Sequence, residues 1–243
     1  MEIKIIHEEK DFIAVEKPAG VLVHKTRTRA LDGNRTEEKT LVNLILEKYP
    51  EVKSVGDFKG KETNELERYG IVHRLDRETS GVIIIARTQK FFDILKKQFQ
   101  NHEIKKEYMA LVKGKLKGNG IINKPIGLRS GTTKHSVNAR NMKMVKDAIT
   151  EYEVIEAFPD ETLIRVIPKT GRTHQIRVHF ASIGHPVIGD KLYGQRKGTS
   201  GLSRQFLHAA AIEFIKADGK RTRIESELPV ELSLFLDGLR KVR

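Results

Sequence analysis

Short apolar segments separated by charged or glycine-containing turns predict β-strands along much of this chain. Residues 3–6 and 12–15 are the first two, and residues 21–23 predict a third. Residues 82–86 form a continuous run rich in β-branched side chains, which is typical of a central strand buried on both faces. Alternation of side chains predicts another strand over residues 108–112.

Apolar side chains three or four positions apart predict four helices. Thr40 can cap the first helix, which we expect to end near Tyr49 because Pro50 disfavours a helical residue before it. The second helix begins at Thr88 and a shorter third helix begins at His174. The fourth helix lies in the carboxyl-terminal tail.

Two polar stretches lack such periodicity and predict loops. Residues 25–39 contain almost nothing apolar, and their cations are Lys25, Arg27, Arg29 and Arg35. Residues 113–146 are the most basic part of the chain. Strands are predicted again over residues 148–158 and 163–167, and two more follow residue 206.

The charge balance suggests a class of partner. The 243 residues include 45 Lys and Arg against 32 Asp and Glu, which gives a formal charge of +13. A surplus of this size attracts polyanions, of which nucleic acid is the commonest. General solubility is the alternative explanation of the charge.

Several classes of protein are excluded by composition. Cysteine is absent, so disulfides, iron–sulfur clusters and thiolate catalysis are excluded. No apolar run approaches the roughly 20 residues that a membrane-spanning helix needs. Residues 1–10 are too charged for a secretory signal. We therefore expect a cytoplasmic protein without a membrane partner.

A charged connection stands directly before the predicted buried strand. Residues 70–81 read GIVHRLDRETSG, which places Asp76 between Arg74 and Arg77. Nearby guanidinium groups favour the ionised carboxylate, which suits an acid that acts as a nucleophile or a base. A turn aspartate that only accepts backbone hydrogen bonds is the alternative interpretation.

Three histidines, His174, His179 and His185, suggest a metal site, but their spacing disfavours it. Positions five apart on a helix point about 140° away from each other, whereas two ligands of one ion need a separation of three or four. No other metal-binding motif occurs in the sequence. We therefore predict no metal site.

The string HRLDRETSG and the apolar run after it closely resemble the signature of the RluA-type RNA pseudouridine synthase family. Four further motifs occur in the family's order: KPAGVLVH at residues 17–24, EYMALVKG at 107–114, KTGRTHQIRVHFASIGHPVIGDKLYG at 169–194 and FLHA at 206–209. The resemblance extends from about Phe12 to the terminal helix.

The resemblance implies catalytic roles for three residues. Asp76 corresponds to the catalytic aspartate, Tyr108 to the tyrosine that stacks on the target base, and Arg177 to the arginine that pairs with the aspartate. A phenol ring offers a π-face to uracil, and a guanidinium can hold a carboxylate ionised through two hydrogen bonds. A core tyrosine and a surface arginine are the alternative interpretations.

Five more residues beside these motifs are candidate RNA contacts: Arg74, Arg172, His174, His179 and Leu207. The first four would bind phosphates. Leu207 corresponds to an apolar residue beneath the base, and a plain core leucine explains it equally well.

The implied fold is an α+β pseudouridine synthase fold. It has a mixed, mainly antiparallel central sheet flanked by helices and loops, with the active cleft across the sheet. We expect residues 1–243 to form a single catalytic domain without the separate amino-terminal S4-like domain that other members carry.

The implied function is the isomerisation of specific uridines to pseudouridine in structured RNA, with large-subunit ribosomal RNA as the first expectation. Such a reaction consumes no co-substrate, so we predict no cofactor, and we expect a monomer whose partner is RNA. A transfer RNA pseudouridine synthase, a hydrolytic RNA N-glycosidase and a non-catalytic RNA-binding or ribosome-assembly protein are the alternatives.

Overall fold

A computed structural model describes residues 3–25, 38–58, 68–132, 134–137, 142–194 and 201–241. The contacts divide the chain into two compact units. The first unit contains Met1–Ile104 and Ile212–Ser226, and the second contains Lys105–Ala211 and Glu227–Arg243. The expectation of a single catalytic domain stays a prediction.

Twelve strands and four α-helices are formed by the described residues. In chain order the strands are β1 (Lys4–Glu8), β2 (Phe12–Lys17), β3 (Ser80–Ala86), β4 (Lys105–Lys113), β5 (Gly120–Asn123), β6 (Ile126–Arg129), β7 (His135–Ser136), β8 (Met142–Lys146), β9 (Ile149–Ala157), β10 (Glu161–Pro168), β11 (Leu207–Ile215) and β12 (Arg221–Glu225). The helices are α1 (Leu41–Lys48), α2 (Gln89–Gln100), α3 (Gln175–Ser182) and α4 (Val230–Lys241), and a 3₁₀ helix covers Pro50–Ser54.

The first unit contains an antiparallel run of strands in the order β1, β2, β3. Every residue of β3 is buried, as its continuous apolar sequence predicted. Thr88 caps α2 by accepting a hydrogen bond from the amide of Phe91. Phe91, Phe92 and Leu95 of this helix join Phe12 and strand residues of β3 in one core cluster.

The second unit contains antiparallel strands in the order β4, β10, β9, β5. Alternate residues of β4 pack in different hydrophobic core clusters. Ala110 and Val112 pack with α3 residues, whereas Leu111 packs with α4 residues. The alternation that predicted this strand therefore distributes its side chains between two cores. The mainly antiparallel pairing and the flanking helices confirm the predicted α+β class.

Two local predictions were wrong. Residues 21–23 form no strand, and the carbonyls of Leu22 and Val23 instead accept hydrogen bonds from the first two amides of α1. The predicted loop over residues 113–146 contains β5 and a small sheet in the order β7, β6, β8. Buried Ile122 and Ile126 supply the apolar contacts that support these strands despite the basic composition.

Three of the cations predicted in the other loop, Arg27, Arg29 and Arg35, lie outside the described residues. Within the described ranges, no helix is long and apolar enough to cross a membrane.

Candidate active site

The segment that leads to Asp76 lies along β3. The amide of Ala86 donates to the carbonyl of Gly70 at 3.0 Å, and Ile71 forms a bridge with Ile85. Gly70 has a φ of +66°, and a Cβ added there would lie 2.5 Å from the Ala86 carbonyl oxygen. Only glycine combines this backbone conformation with so close an approach.

The side chain of His73 also binds this segment to β3. Its Nε2 accepts a hydrogen bond from the amide of Ile84 at 3.0 Å, and its ring stacks on Phe99 with the ring centroids 4.9 Å apart. Because Nε2 accepts a hydrogen bond here, the neutral ring carries its hydrogen on Nδ1. This side chain holds the backbone three residues before Asp76.

Asp76 is half-buried at the start of the turn that enters β3. Its backbone carbonyl accepts a hydrogen bond from the amide of Thr79 at 3.1 Å. Leu75 on one side and Thr79 and Ser80 on the other are buried. The backbone of the predicted catalytic aspartate is therefore held by a short-range hydrogen bond, and buried residues lie on both sides of it in the sequence.

The carboxyl-terminal side of Asp76 is fixed by a lysine to which the sequence analysis assigned no role. Lys17 is completely buried, and its Nζ donates to the carbonyls of Pro18 at 2.7 Å, Val21 at 2.8 Å and Arg77 at 2.9 Å. All three protons of the ammonium group are therefore used, which is what a buried cation requires. The KPAG sequence at residues 17–20 was the available signal.

Arg77 and Arg74 flank Asp76 differently. The guanidinium of Arg77 pairs with Glu38 and donates to the carbonyl of Gly20 at 3.0 Å. Arg74 is exposed. One of the two guanidinium groups that lie near Asp76 in the sequence, that of Arg77, therefore pairs with Glu38.

Tyr108 and Leu207 belong to the second unit. Tyr108 is half-buried on β4 opposite Val166 and packs against a cluster that contains Leu207. Leu207 is 3% exposed. Its position fits the core interpretation, and a contact with a base stays a prediction.

Arg177 forms a buried ion pair with a residue that the sequence analysis missed. Its Nε donates to Asp190 Oδ2 at 2.7 Å and its Nη2 donates to Asp190 Oδ1 at 2.9 Å. The amides of Leu192 and Tyr193 also donate to Oδ1, at 2.8 and 3.0 Å. The pairing of Arg177 with Asp76 stays a prediction.

Opposing effects set the pKa of Asp190. Burial alone would raise it, but the hydrogen bonds and positive charge of Arg177, together with the two backbone amides, lower the pKa below its ordinary value of 3.8. Asp190 is therefore ionised at neutral pH and orients the Arg177 fork. It lies in the GDKLYG sequence at residues 189–194, which was the signal for it.

Tyr193 connects Arg177 to His174. The guanidinium carbon of Arg177 lies 5.2 Å from the Tyr193 ring centroid, and His174 Nδ1 is 2.9 Å from the Tyr193 hydroxyl. The amide of His135 donates to the same hydroxyl at 3.0 Å. His174 has a left-handed backbone with a φ of 55°. Its predicted phosphate contact stays a prediction.

Arg172 lies beside a second cation, Lys106. Arg172 is half-buried, and its Nε donates to the carbonyl of Asp147 at 2.9 Å. Lys106 Nζ donates to the carbonyl of Thr170 at 3.2 Å. Burial, with a further contribution from the charge of Arg172, lowers the pKa of Lys106 to about 8. Lys106 is a candidate RNA contact that sequence reasoning missed.

Gln175 organises the turn before α3 through a buried polar network. Its Oε1 accepts from Thr170 Oγ1 at 2.7 Å and from the amide of Arg172 at 3.0 Å. Its Nε2 donates to Thr150 Oγ1 at 2.9 Å and to the carbonyl of Ile149 at 3.0 Å. The side-chain amide therefore fixes the Thr170–Arg172 turn to β9.

The same network ends at His179, which is fully buried. Its Nδ1 lies 2.9 Å from Thr150 Oγ1, and its Nε2 lies 2.9 Å from the carbonyl oxygen of Lys124. Thr150 accepts from Gln175, so its hydroxyl proton is available to Nδ1, and Nε2–H donates to the carbonyl. Neither ring nitrogen is exposed to a phosphate, and the structure instead gives His179 a place in the core.

This arrangement requires a neutral His179. Burial lowers its pKa, as does the charge of Lys124, and the hydrogen bond to the Lys124 carbonyl offsets this only in part. Below the ordinary pKa of 6.5, the unfolded chain binds a proton that the folded chain does not. The contribution of His179 to stability is therefore complete above that pH and is lost as pH falls through the lowered pKa.

We expect the free energy of unfolding of the wild-type protein to fall more steeply on acidification than that of His179→Gln. The measurement is urea unfolding at several values between about pH 5 and about pH 7. His102→Asn, at an exposed histidine whose left-handed backbone asparagine tolerates, is the matched control and should keep the wild-type slope. Equal slopes for the wild type and His179→Gln would contradict the buried neutral assignment.

Residues 11–182 match the family described as RNA pseudouridylate synthase. The chain is 36% identical to a ribosomal large subunit pseudouridine synthase D from Nitrosomonas europaea, over 99% of this chain and 66% of that protein. It is 34% identical to a protein of the same name from Pseudomonas aeruginosa, over all of this chain and 73% of that protein. The chain belongs to the RNA pseudouridylate synthase family.

A solved structure of human RNA pseudouridylate synthase domain containing 1 supports the fold. It matches with a TM-score of 0.74 and 23% identity, over 99% of this chain and 94% of that one. The chain spans about two thirds of the length of the curated relatives that it matches first. Among the residues that the structure describes, no group of three or more His, Asp or Glu side chains could hold a metal.

Proposed function

We propose that this protein converts specific uridines of large-subunit ribosomal RNA to pseudouridine in the cytoplasm. The observation that carries the proposal is the match of residues 11–182 to the family, a range that contains Asp76, Tyr108 and Arg177. The name of the relatives from Nitrosomonas europaea and Pseudomonas aeruginosa supports ribosomal RNA as the substrate. We further propose that residues 1–243 act as one catalytic domain and as a monomer.

The reaction is an isomerisation within one nucleotide. The bond from ribose C1′ to uracil N1 breaks, the base rotates, and a bond forms from C1′ to C5. C5 then loses its proton and N1 gains one, so the mass does not change. No electron acceptor, group donor or water is consumed.

Asp76 is the proposed catalytic carboxylate, which attacks the nucleotide or takes a proton from it. Tyr108 is the proposed aromatic surface for the loosened uracil. Arg177, whose fork is oriented by Asp190, is the proposed partner that favours the charged form of a carboxylate.

The target uridine must leave its stack before a short side chain can reach it. Base flipping costs a few kcal/mol and costs least in loops and bulges. Contacts between cationic side chains and the RNA backbone offset this cost. Arg74, Arg172, Lys106 and His174 are the proposed contacts among the described residues.

The test uses the purified protein and an unmodified transcript of bacterial large-subunit ribosomal RNA. We expect pseudouridine to appear at discrete sites with no change in RNA mass and no free uracil, as measured by nucleoside mass spectrometry and by site mapping. Free uracil would assign the chain to the N-glycosidases. Modification of transfer RNA alone would reject the ribosomal substrate, and bound but unmodified RNA would indicate a non-catalytic protein.

A further inference from the structure

A strained and exposed methionine lies on the small sheet of the second unit. Met144 of β8 has a φ of 53°, in the left-handed region that residues other than glycine rarely occupy. The residue is 76% exposed, so no packing in the protein accounts for the apolar group at this position. Strain at an exposed apolar residue needs another explanation.

A β-bulge produces this conformation. Ile126 pairs with Lys146 and Leu128 pairs with Lys143. Two steps along β6 therefore correspond to three steps along β8, so β8 contains one extra residue. The extra residue lies opposite Gly127, where an added Cβ would be 2.9 Å from Val145 Cγ2. Bulges of this kind normally place glycine in the left-handed position, whereas this chain places methionine there.

The surroundings of Met144 are basic. Lys143 and Lys146 are exposed on the same strand, and Arg129 and Lys134 are exposed on β6 and directly before β7. Within the ranges that the structure describes, none of these four cations forms an ion pair with an acidic side chain. Val145, 49% exposed, extends the apolar surface between the lysines.

We propose that the β8 bulge presents Met144 to the RNA substrate as an apolar contact with a base or ribose, while the neighbouring cations bind phosphates. This inference rests on the proposed function. Charge complementarity selects RNA as the occupant, because a surface with unpaired cations on several positions fits a polyanion. Apolar side chains between cations are used by nucleic-acid-binding proteins to contact or unstack bases.

The conformation of Met144 offers a variant that separates binding from folding. Met144→Gly removes the apolar side chain and at the same time suits the left-handed backbone. We expect its Tm to equal or exceed that of the wild type, whereas its Kd for the unmodified ribosomal transcript rises about tenfold. KM should rise with it, and kcat should stay within about twofold. Met144→Asn, which also tolerates this conformation, should behave in the same way.

Salt dependence distinguishes the two kinds of contact. Met144→Gly should leave the slope of log K against log salt unchanged, because no charge is lost, whereas Lys143→Gln should reduce its magnitude by about one. Leu234→Ala is the matched control, since it shortens another exposed apolar side chain and should leave Kd unchanged.

Each result decides the inference. A Kd for Met144→Gly within twofold of the wild type would overturn it, and so would a loss of affinity accompanied by a lower Tm. Failure of the wild type to form pseudouridine would reject the proposed function, but the Kd comparison would still test Met144. Absence of any RNA binding by the wild type would reject both.

Discussion

Asp76→Asn should abolish pseudouridine formation, with a fall in rate of about 10⁴-fold or more. The amide has nearly the same shape as the carboxylate, but it can neither attack the nucleotide nor accept a proton at neutral pH. Losses of this size are typical when the group that performs the chemistry is removed. The measurement is the initial rate of pseudouridine formation on the ribosomal transcript.

The structure predicts that this loss is separate from folding. The loop of Asp76 is held by the backbone hydrogen bonds of Gly70 and Thr79 and by the Lys17 contact with Arg77. None of these three contacts uses the Asp76 carboxylate, so they should still hold the loop backbone in Asp76→Asn, and we expect the variant to fold and to bind RNA. Tm and the Kd for RNA, measured beside the rate, check this. Glu78→Gln changes a second half-buried carboxylate in the same turn and should remain active. A fully active Asp76→Asn protein would remove Asp76 from the mechanism.

Local sequence patterns predicted most elements because their signals act over a few residues. Thr40 and Thr88 cap helices, and the apolar run over residues 82–86 forms the fully buried strand. The prediction failed where distant residues decide the structure. Residues 21–23 look like a strand, yet their carbonyls accept hydrogen bonds from Lys17 and from the start of α1.

The site shows the same division between local and distant information. Motif order identified Asp76, Tyr108 and Arg177 as candidates, but it gave no role to the residues that position their surroundings. Lys17 and Asp190 act through hydrogen bonds to groups that only the fold brings near them. Its place beside the motifs also made His179 a candidate phosphate contact, because burial is not visible in a short motif.

Asp190→Ala should destabilise the folded protein by about 3–5 kcal/mol, because it removes the carboxylate that pairs with the buried Arg177 guanidinium through two hydrogen bonds. Arg177 is 8% exposed and Asp190 is 3% exposed, so water cannot easily replace the lost carboxylate. The amides of Leu192 and Tyr193 also lose their acceptor, which adds to the cost. Urea unfolding at neutral pH gives the difference in the free energy of unfolding.

The chain supplies a control pair that has a similar bond length without the burial. Glu153 accepts from Arg165 Nη1 at 2.8 Å, but both side chains are 46% exposed. Glu153→Ala should therefore cost less than about 1 kcal/mol. Equal losses for the two variants would show that burial does not strengthen the Arg177 pair.

Acidification gives an independent measure of the Asp190 contribution. Because the pKa of Asp190 is lowered below 3.8, its contribution to stability is complete above that pH and is lost as pH falls through the lowered value. Asp190→Ala should lack this part of the acid dependence. The same pair orients the proposed catalytic arginine, so the variant should also lose activity at temperatures where it remains folded. A folded variant with wild-type kcat would mean that Arg177 needs no orientation by Asp190 for catalysis.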